Sequence, residues 1–163
     1  LIMVLPKIAH PTAPRIIMIR AERADPDKVA ALTIVKVLSM VLEVLFLDDD
    51  NYTIAGHGVV IDLHNLPYKY AAQLTPDFIK KIIIGVQDAQ PIRIKSMNYL
   101  NCPQFCLTIY NTFKLFLNDD IIERTHFYNE NNMEDFYQTV PLSILPNEYG
   151  GAGGSCDEIT GNS

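Results

Sequence analysis

Nineteen residues from Val29 to Leu47 are almost entirely apolar, and a run of that length either crosses a bilayer or is covered by another layer of the protein. Lys36 and Glu43 decide between the two. Both lie inside the run, and each charge held near the centre of a bilayer costs about 2.5 to 3.5 kcal/mol. Thr33, Lys36 and Glu43 follow one another at helical spacing, so they form one narrow polar stripe on a helix that is otherwise apolar all round. That is the pattern of a helix buried in a layered domain. Leu1 to Leu5 are apolar but too few for an export signal, and Pro6 and Lys7 follow at once. The chain does not open with Met and is therefore expected to be a fragment or a processed form.

A covered helix needs a sheet to lie on, and the rest of the chain supplies strands. Arg15 to Arg20 is short, rich in isoleucine and bounded by charge, so it reads as a buried strand. Asp25 then caps a helix with Pro26 at its first position, and the run to Phe46 ends at the acidic turn Asp48, Asp49, Asp50 and Asn51. Gly56 to Leu63 is a second strand. Thr75 and Pro76 repeat the cap, and their helix, through Phe78, Ile79, Ile82, Ile83 and Val86, ends near Ala89 because Pro91 cannot continue it. Ile92 to Leu100 is a third strand. Pro103 starts a helix with Phe105, Ile109, Thr112, Phe113 and Phe116 on one side, too apolar for an ordinary surface helix. One more turn from Asp119 to Glu123, a strand from Arg124 to Tyr128, a short helix from Met133 to Tyr137 and a proline-broken segment from Pro141 to Pro146 complete the pattern. Strand and helix alternate four times, which predicts an α/β domain with right-handed crossovers and a largely parallel sheet. From Gly150 onward the glycines predict a flexible tail.

Composition narrows the function classes. A chain of 163 residues fits one domain, and 48% hydrophobic against 20% charged residues permits a core. The net charge of −6 repels a phosphate backbone, which argues against a nucleic-acid partner. Three cysteines cannot all pair within the chain and none has zinc-ligand spacing, so reduced thiols in a cytoplasmic compartment are expected. Cys102 and Cys106 share a metal only if two further ligands converge, with His57 and His126 the candidates, and core thiols are the preferred reading. Gly56 and Gly58 lead into a strand rather than a helix, and the glycines from 150 to 154 lack the Lys and Ser/Thr of a phosphate loop, so no cofactor site is supported. Asp62 and His64 could form a base and its orienting group, but no nucleophile elbow accompanies them. A catalytic role is not expected.

What stands out is apolar surface without chemistry beside it. Val59 and Ile61 face one way on their strand, Ile92 and Ile94 one way on theirs, and Val35, Leu38 and Leu42 line one side of the long helix. The helix after Pro103 is greasy on more than one side, as a flap over an apolar cavity would be, or a surface that dips into a membrane. Spacing alone leaves ordinary core and cavity equally open.

Several stretches stand in a telling order: Asp25-Pro26 after the strand ending at Arg20, Gly56 with Ile61-Asp62-Leu63, Thr75-Pro76 with Lys80 and Lys81, and Gln87 to Lys95. Asn101 to Phe105, Phe116-Leu117, Glu123-Arg124 and the closing Leu145-Pro146-Asn147-Glu148-Tyr149-Gly150-Gly151 follow. Taken together they resemble the CRAL-TRIO lipid-binding domain family, that of alpha-tocopherol transfer protein and cellular retinaldehyde-binding protein. The style is similar to insect tocopherol-transfer-like members. The resemblance implies a sheet floor and helix walls around one hydrophobic ligand, with Asn101 to about Leu117 as a mobile gate. It places pocket-lining side chains at Val35, Leu38, Leu42, Val59, Ile61, Ile82, Val86, Ile92, Ile94, Met97, Ile109 and Phe113. It further implies a basic cleft for a phosphoinositide headgroup at Arg93, Lys95 and Arg124, where Asp119 and Asp120 would repel phosphate.

The organisation so implied is one lipid-binding domain over residues 1–151, without the helical domain that usually precedes it, and a tail over 152–163. The function so implied is that of a non-enzymatic carrier in the cytoplasm that moves a tocopherol, retinoid or phospholipid between membranes, touching them peripherally. The alternative is a phosphoinositide-sensing membrane module with no carried ligand. Each methylene moved from water into an apolar cavity contributes about 0.8 kcal/mol, enough for a prenyl or acyl chain to bind without a charged partner.

Overall fold

The computed structural model describes residues 2–88 and 93–161. Its centre is a five-stranded sheet in which neighbouring strands follow chain order: β1 (Ile2–Val4), β2 (Arg15–Arg20), β3 (His57–Asp62), β4 (Ile94–Leu100) and β5 (Thr125–Tyr128). β1 runs antiparallel to β2, and every other pair is parallel. The alternation read from the sequence therefore produces the predicted α/β architecture. β1 was not expected: Ile2 to Val4 is too short a run to declare itself, and pairing with Ile17 to Ile19 makes it a strand.

The helices are α1 (Ala31–Asp48), α2 (Asp50–Ala55), α3 (Pro76–Gln87), α4 (Gln104–Phe113), α5 (Asp119–Glu123), α6 (Met133–Thr139) and α7 (Cys156–Thr160). When parallel strands advance in one direction through right-handed crossovers, the connecting helices fall on one face of the sheet. Side-chain packing agrees. Leu42 of α1 and Tyr52 of α2 pack on Ile17, and Tyr110 of α4 meets Phe127 edge to face at 4.9 Å between ring centroids. Strand register puts Ile17 and Phe127 on the same face. The opposite face is covered by α6 and the C-terminal segment, where Phe136, Val140, Ile144, Leu145 and Cys156 pack on Ile16, Met18, Val60, Leu100 and Tyr128.

Four expectations need correction. Asp25 does not cap the long helix: its side chain accepts from the Asp27 amide, its carbonyl closes a turn to Lys28 and Val29, and α1 begins only at Ala31. The acidic run is not merely a stop, because Asp49 caps α2 by accepting from the Tyr52 amide, while its carboxylate pairs with Arg15. α1 is not covered all round: Leu42 is its one fully buried residue, and Val37, Met40, Val44 and Leu47 are exposed. The segment expected as a loose tail is folded through residue 161. Ser155 and Glu158 form a capping box that starts α7, and Cys156 is completely buried in the core.

The turn Leu145 to Gly151 explains why that segment stays. Gly150 has a left-handed backbone, φ 74°, and a Cβ on Gly151 would lie 2.0 Å from the Leu145 carbonyl oxygen, so only glycine fits there. The amides of Gly151 and Gly153 donate to the carbonyls of Pro146 and Leu145, and Glu148 accepts from the Cys156 amide.

Candidate functional site

Beneath the crossover helices, strand register defines the floor. Val59 stands beside Ile17 and Met97, and Ile61 beside Ile19 and Tyr99, which in turn stands beside Phe127. Ile94 joins this floor through an irregularity. Ile94 and Met97 are three apart and would point to opposite faces of a regular strand, but β4 carries an extra residue opposite the His57/Gly58 junction, which turns Ile94 to the side of His57. Gly56, φ 76°, allows this because a Cβ there would meet the Arg93 carbonyl oxygen at 2.4 Å.

Burial along the floor is graded. Ile17, Val59 and Ile94 are buried, whereas Ile19, Ile61, Met97, Tyr99 and Phe127, nearer the carboxyl ends of the strands, are only half-buried. Tyr99 lies deep enough that burial pushes its phenol far above the ordinary value, yet it retains accessible surface and stacks on Phe127 at 5.1 Å. The carboxyl ends of parallel strands are where ligands bind in open α/β sheets.

The walls come from three helices. Leu38 and Leu42 of α1 pack toward Ile17 and Tyr52, so they close the buried end of the floor, while Val35 is half-buried one turn earlier. Thr75 accepts from the Phe78 amide and starts α3 as expected; Ile79 and Ile83 are its buried residues, with Ile82 and Val86 half-buried beside them. α4 has no fully buried side chain. Ile109 and Phe113 are half-buried, Thr108, Asn111 and Thr112 face outward, and aromatic contacts hold the helix: Tyr110 on Phe127, and Phe105 on Tyr68 at 5.3 Å. Thr112 thus leaves the inward side on which the spacing put it. Ile92 lies outside the described residues.

The junction before α4 is unusual. Asn101 has φ 53°, a left-handed conformation rare outside glycine, and is fixed by donating from its side chain to Asp62 and from its amide to the Tyr128 carbonyl. Asp62 also accepts from the His64 amide and the Tyr149 hydroxyl. Its carboxylate therefore ties the junction before α4 to the C-terminal turn, and it meets His64 through the main chain while the His64 side chain is exposed. Cys102 and Cys106 flank the start of α4. Their mutual hydrogen bond holds the Cys102 thiol below its usual range and pushes the Cys106 thiol up. Among the described residues no group of three His, Cys, Asp or Glu is arranged to hold a metal ion.

At the closed end of the floor His57 is buried and stacks on Tyr52, ring centroids 5.3 Å apart. Burial lowers the imidazole to about 4 and raises the Tyr52 phenol to about 12, so both rings are neutral at neutral pH. The basic cluster is brought together in part. Arg93 and Arg124 both approach the Asp120 carboxylate, at 3.6 and 3.3 Å, and Arg124 also donates to the Ile94 carbonyl; Lys95 is exposed.

Residue spacing did not single out Tyr99 and Phe127, although both fall at the alternate positions that the strands dictate. No helix among the described residues is long and apolar enough to cross a membrane.

Comparison with known proteins bears on this arrangement. The chain is 31% identical to Clavesin-1 of Rattus norvegicus over 137 residues, 84% of this chain and 38% of the relative. It is equally similar to Clavesin-1 of Xenopus laevis, at 31% over 84% of this chain and 41% of the relative, and 28% identical to human Clavesin-2 over the same shares. The chain spans about two fifths of the length of these curated relatives. The family profile described as CRAL/TRIO domain matches residues 9–151, which include β2 to β5, the walls and the Leu145–Gly151 turn. With that match across most of the sequence and a parallel sheet roofed by a thinly held helix, this chain belongs to the CRAL/TRIO domain family of lipid-binding domains.

Proposed function

We propose that this chain encloses one hydrophobic small molecule or lipid between the half-buried floor and helices α1, α3 and α4, and exchanges it with membranes when α4 moves. The residues proposed to touch the ligand are those the family resemblance named, extended by Tyr99 and Phe127. One observation supports this above all. The floor stays half-buried at Ile61, Met97, Tyr99 and Phe127, while Val60, Asn98, Leu100 and Tyr128 on the opposite face of the same strands are buried. The role is carriage without bond-making, in the cytoplasm and at membrane surfaces; the Asp62 carboxylate is engaged by three structural donors. A tocopherol, a retinoid or a phospholipid chain suits such walls, which discriminate weakly between chains of similar volume.

Lipid extraction and native mass spectrometry of the purified chain test this: a stoichiometric apolar ligand, or uptake of a fluorescent retinoid or phospholipid by the empty protein, is the expected result. A protein that is empty and takes up none of them defeats the proposal. Headgroup recognition at Arg93, Lys95 and Arg124 is the weaker part, because the Asp120 carboxylate already engages both arginines.

A further inference from the structure

The outward face of α1 is a feature that ligand carriage leaves unused. Its exposed residues include Lys36, Val37, Met40, Glu43, Val44 and Leu47, with Met40 64% and Leu47 78% exposed. Positions 36, 40, 43 and 47 are spaced by four, three and four, the spacing of a seam along which one helix packs against another. Exposed Val37, Met40, Val44 and Leu47 clustered around two charges on one solvated helix face mark an interaction surface.

The two charges in the strip specify the partner. Lys36 and Glu43 are seven residues apart, about 10 Å along the axis, beyond the reach of the neighbouring-turn pairs that stabilise a single helix. Neither has an ion-pair partner among the described residues. Met40 lies midway between them. A second α1 laid antiparallel about a twofold axis near Met40 brings Lys36 of each copy beside Glu43 of the other, with Met40 against Met40 and the valines and Leu47 closing the flanks. A parallel arrangement would set Lys36 against Lys36 and Glu43 against Glu43. A bilayer is the poorer fit, since surface helices carry cations on a polar face and this strip holds an anion and a cation along its middle.

We infer that the exposed strip of α1 is a self-complementary docking surface for a second copy of this chain, antiparallel and twofold, held by reciprocal Lys36–Glu43 pairs around Met40. Such a helix pair buries less than the roughly 800 Å² per partner of a standard interface, so the dimer is concentration-dependent, with Kd on the order of micromolar to millimolar.

Sedimentation equilibrium of the 163-residue chain at physiological salt measures this. The expected result is a monomer–dimer equilibrium in which Lys36→Glu and Glu43→Lys each weaken association by about tenfold or more, since each single reversal sets two like-charge pairs face to face. Mixing the two variants in equal amounts restores dimerisation, because every cross-copy pair is then opposite in sign, and the doubly reversed chain recovers it alone. Both positions are exposed, and the mixture reports on folded protein even if one variant is less stable. A chain that stays monomeric at millimolar concentration, a dimer indifferent to the reversals, or single-variant losses that mixing does not rescue would each overturn the inference.

Discussion

The two faces of one sheet are made from the same strands and the same residue types, yet they are packed to different ends. On one face Met18, Val60, Phe136, Val140 and Leu145 are fully buried, and the C-terminal turn is threaded so closely that Gly151 has no room for a methyl group. On the other, the row Ile19, Ile61, Tyr99 and Phe127 keeps accessible surface beneath a helix that buries none of its own side chains completely. Interiors ordinarily pack at crystal density, and the first face meets that standard while the second leaves side-chain surface accessible. Asp62 joins them: its carboxylate holds Tyr149 from the packed side and Asn101 just before α4.

The sharpest way to break this contrast is truncation on each side. Phe136→Ala removes a completely buried ring and is expected to cost about 3 to 5 kcal/mol, measured by urea unfolding. Met97→Ala, on the half-buried floor, is expected to cost less than half as much in the ligand-free protein. Equal costs would mean that the second face is packed like the first.

Titration sharpens the contrast at the closed end of the floor. Folding lowers the His57 imidazole to about 4 through burial, from an ordinary value near 6.5. The unfolded chain therefore binds this proton first, so the residue's contribution is complete above pH 6.5, is lost as pH falls toward 4, and changes no further below that. The full loss is about 3 kcal/mol. His57→Phe, which keeps a ring against Tyr52, should flatten that window in a series of unfolding curves. If wild type and variant lose stability in parallel between pH 6.5 and 4, the closed end is open to water after all.

Overfilling gives a smaller effect of the same sense. Val60→Phe forces a larger side chain into a fully buried position and is expected to cost about 1 to 3 kcal/mol. Ile61→Phe, one residue on and facing the floor, should leave stability nearly unchanged while reducing uptake of a fluorescent retinoid. A reversal of that pattern would assign the free space to the wrong face.

Much of the fold was legible because its signals are local. Arg15 to Arg20 is a strand with the expected bounds, and Thr75-Pro76 starts a helix where a threonine cap and a first-position proline should. What escaped depends on partners distant in sequence. Ile2 to Val4 is a strand because β2 is there to pair with, and Ile94 faces the floor because of an extra residue in β4 that alternation cannot reveal. Glycines after residue 149 read as looseness, whereas their backbone and missing side chains let the turn close on Leu145. Apolar content marked α1 as covered, but content does not say which face is covered, and the polar stripe on its outward side held that information. Of the site, Val59 and Ile61 on the floor follow from period two, while the aromatic pair there needed the register of β5 to place Phe127 beside Tyr99.

The gentlest test lies at the rim, where both faces give way to solvent. Arg93 and Arg124 share the Asp120 carboxylate, and the first two are 62% and 25% exposed at their side chains. Exposed ion pairs contribute little to stability, so Asp120→Asn should leave the unfolding midpoint within error. Its effect should appear in binding. Removing one negative charge frees two guanidinium groups beside Lys95, and sedimentation with vesicles containing a phosphoinositide should rise a few-fold over vesicles of neutral lipid, with the gain lost at high salt. An unchanged partition would show that Asp120 is not what keeps phosphate from this cluster, and that the arginines serve the strand edge through contacts such as that of Arg124 with the Ile94 carbonyl.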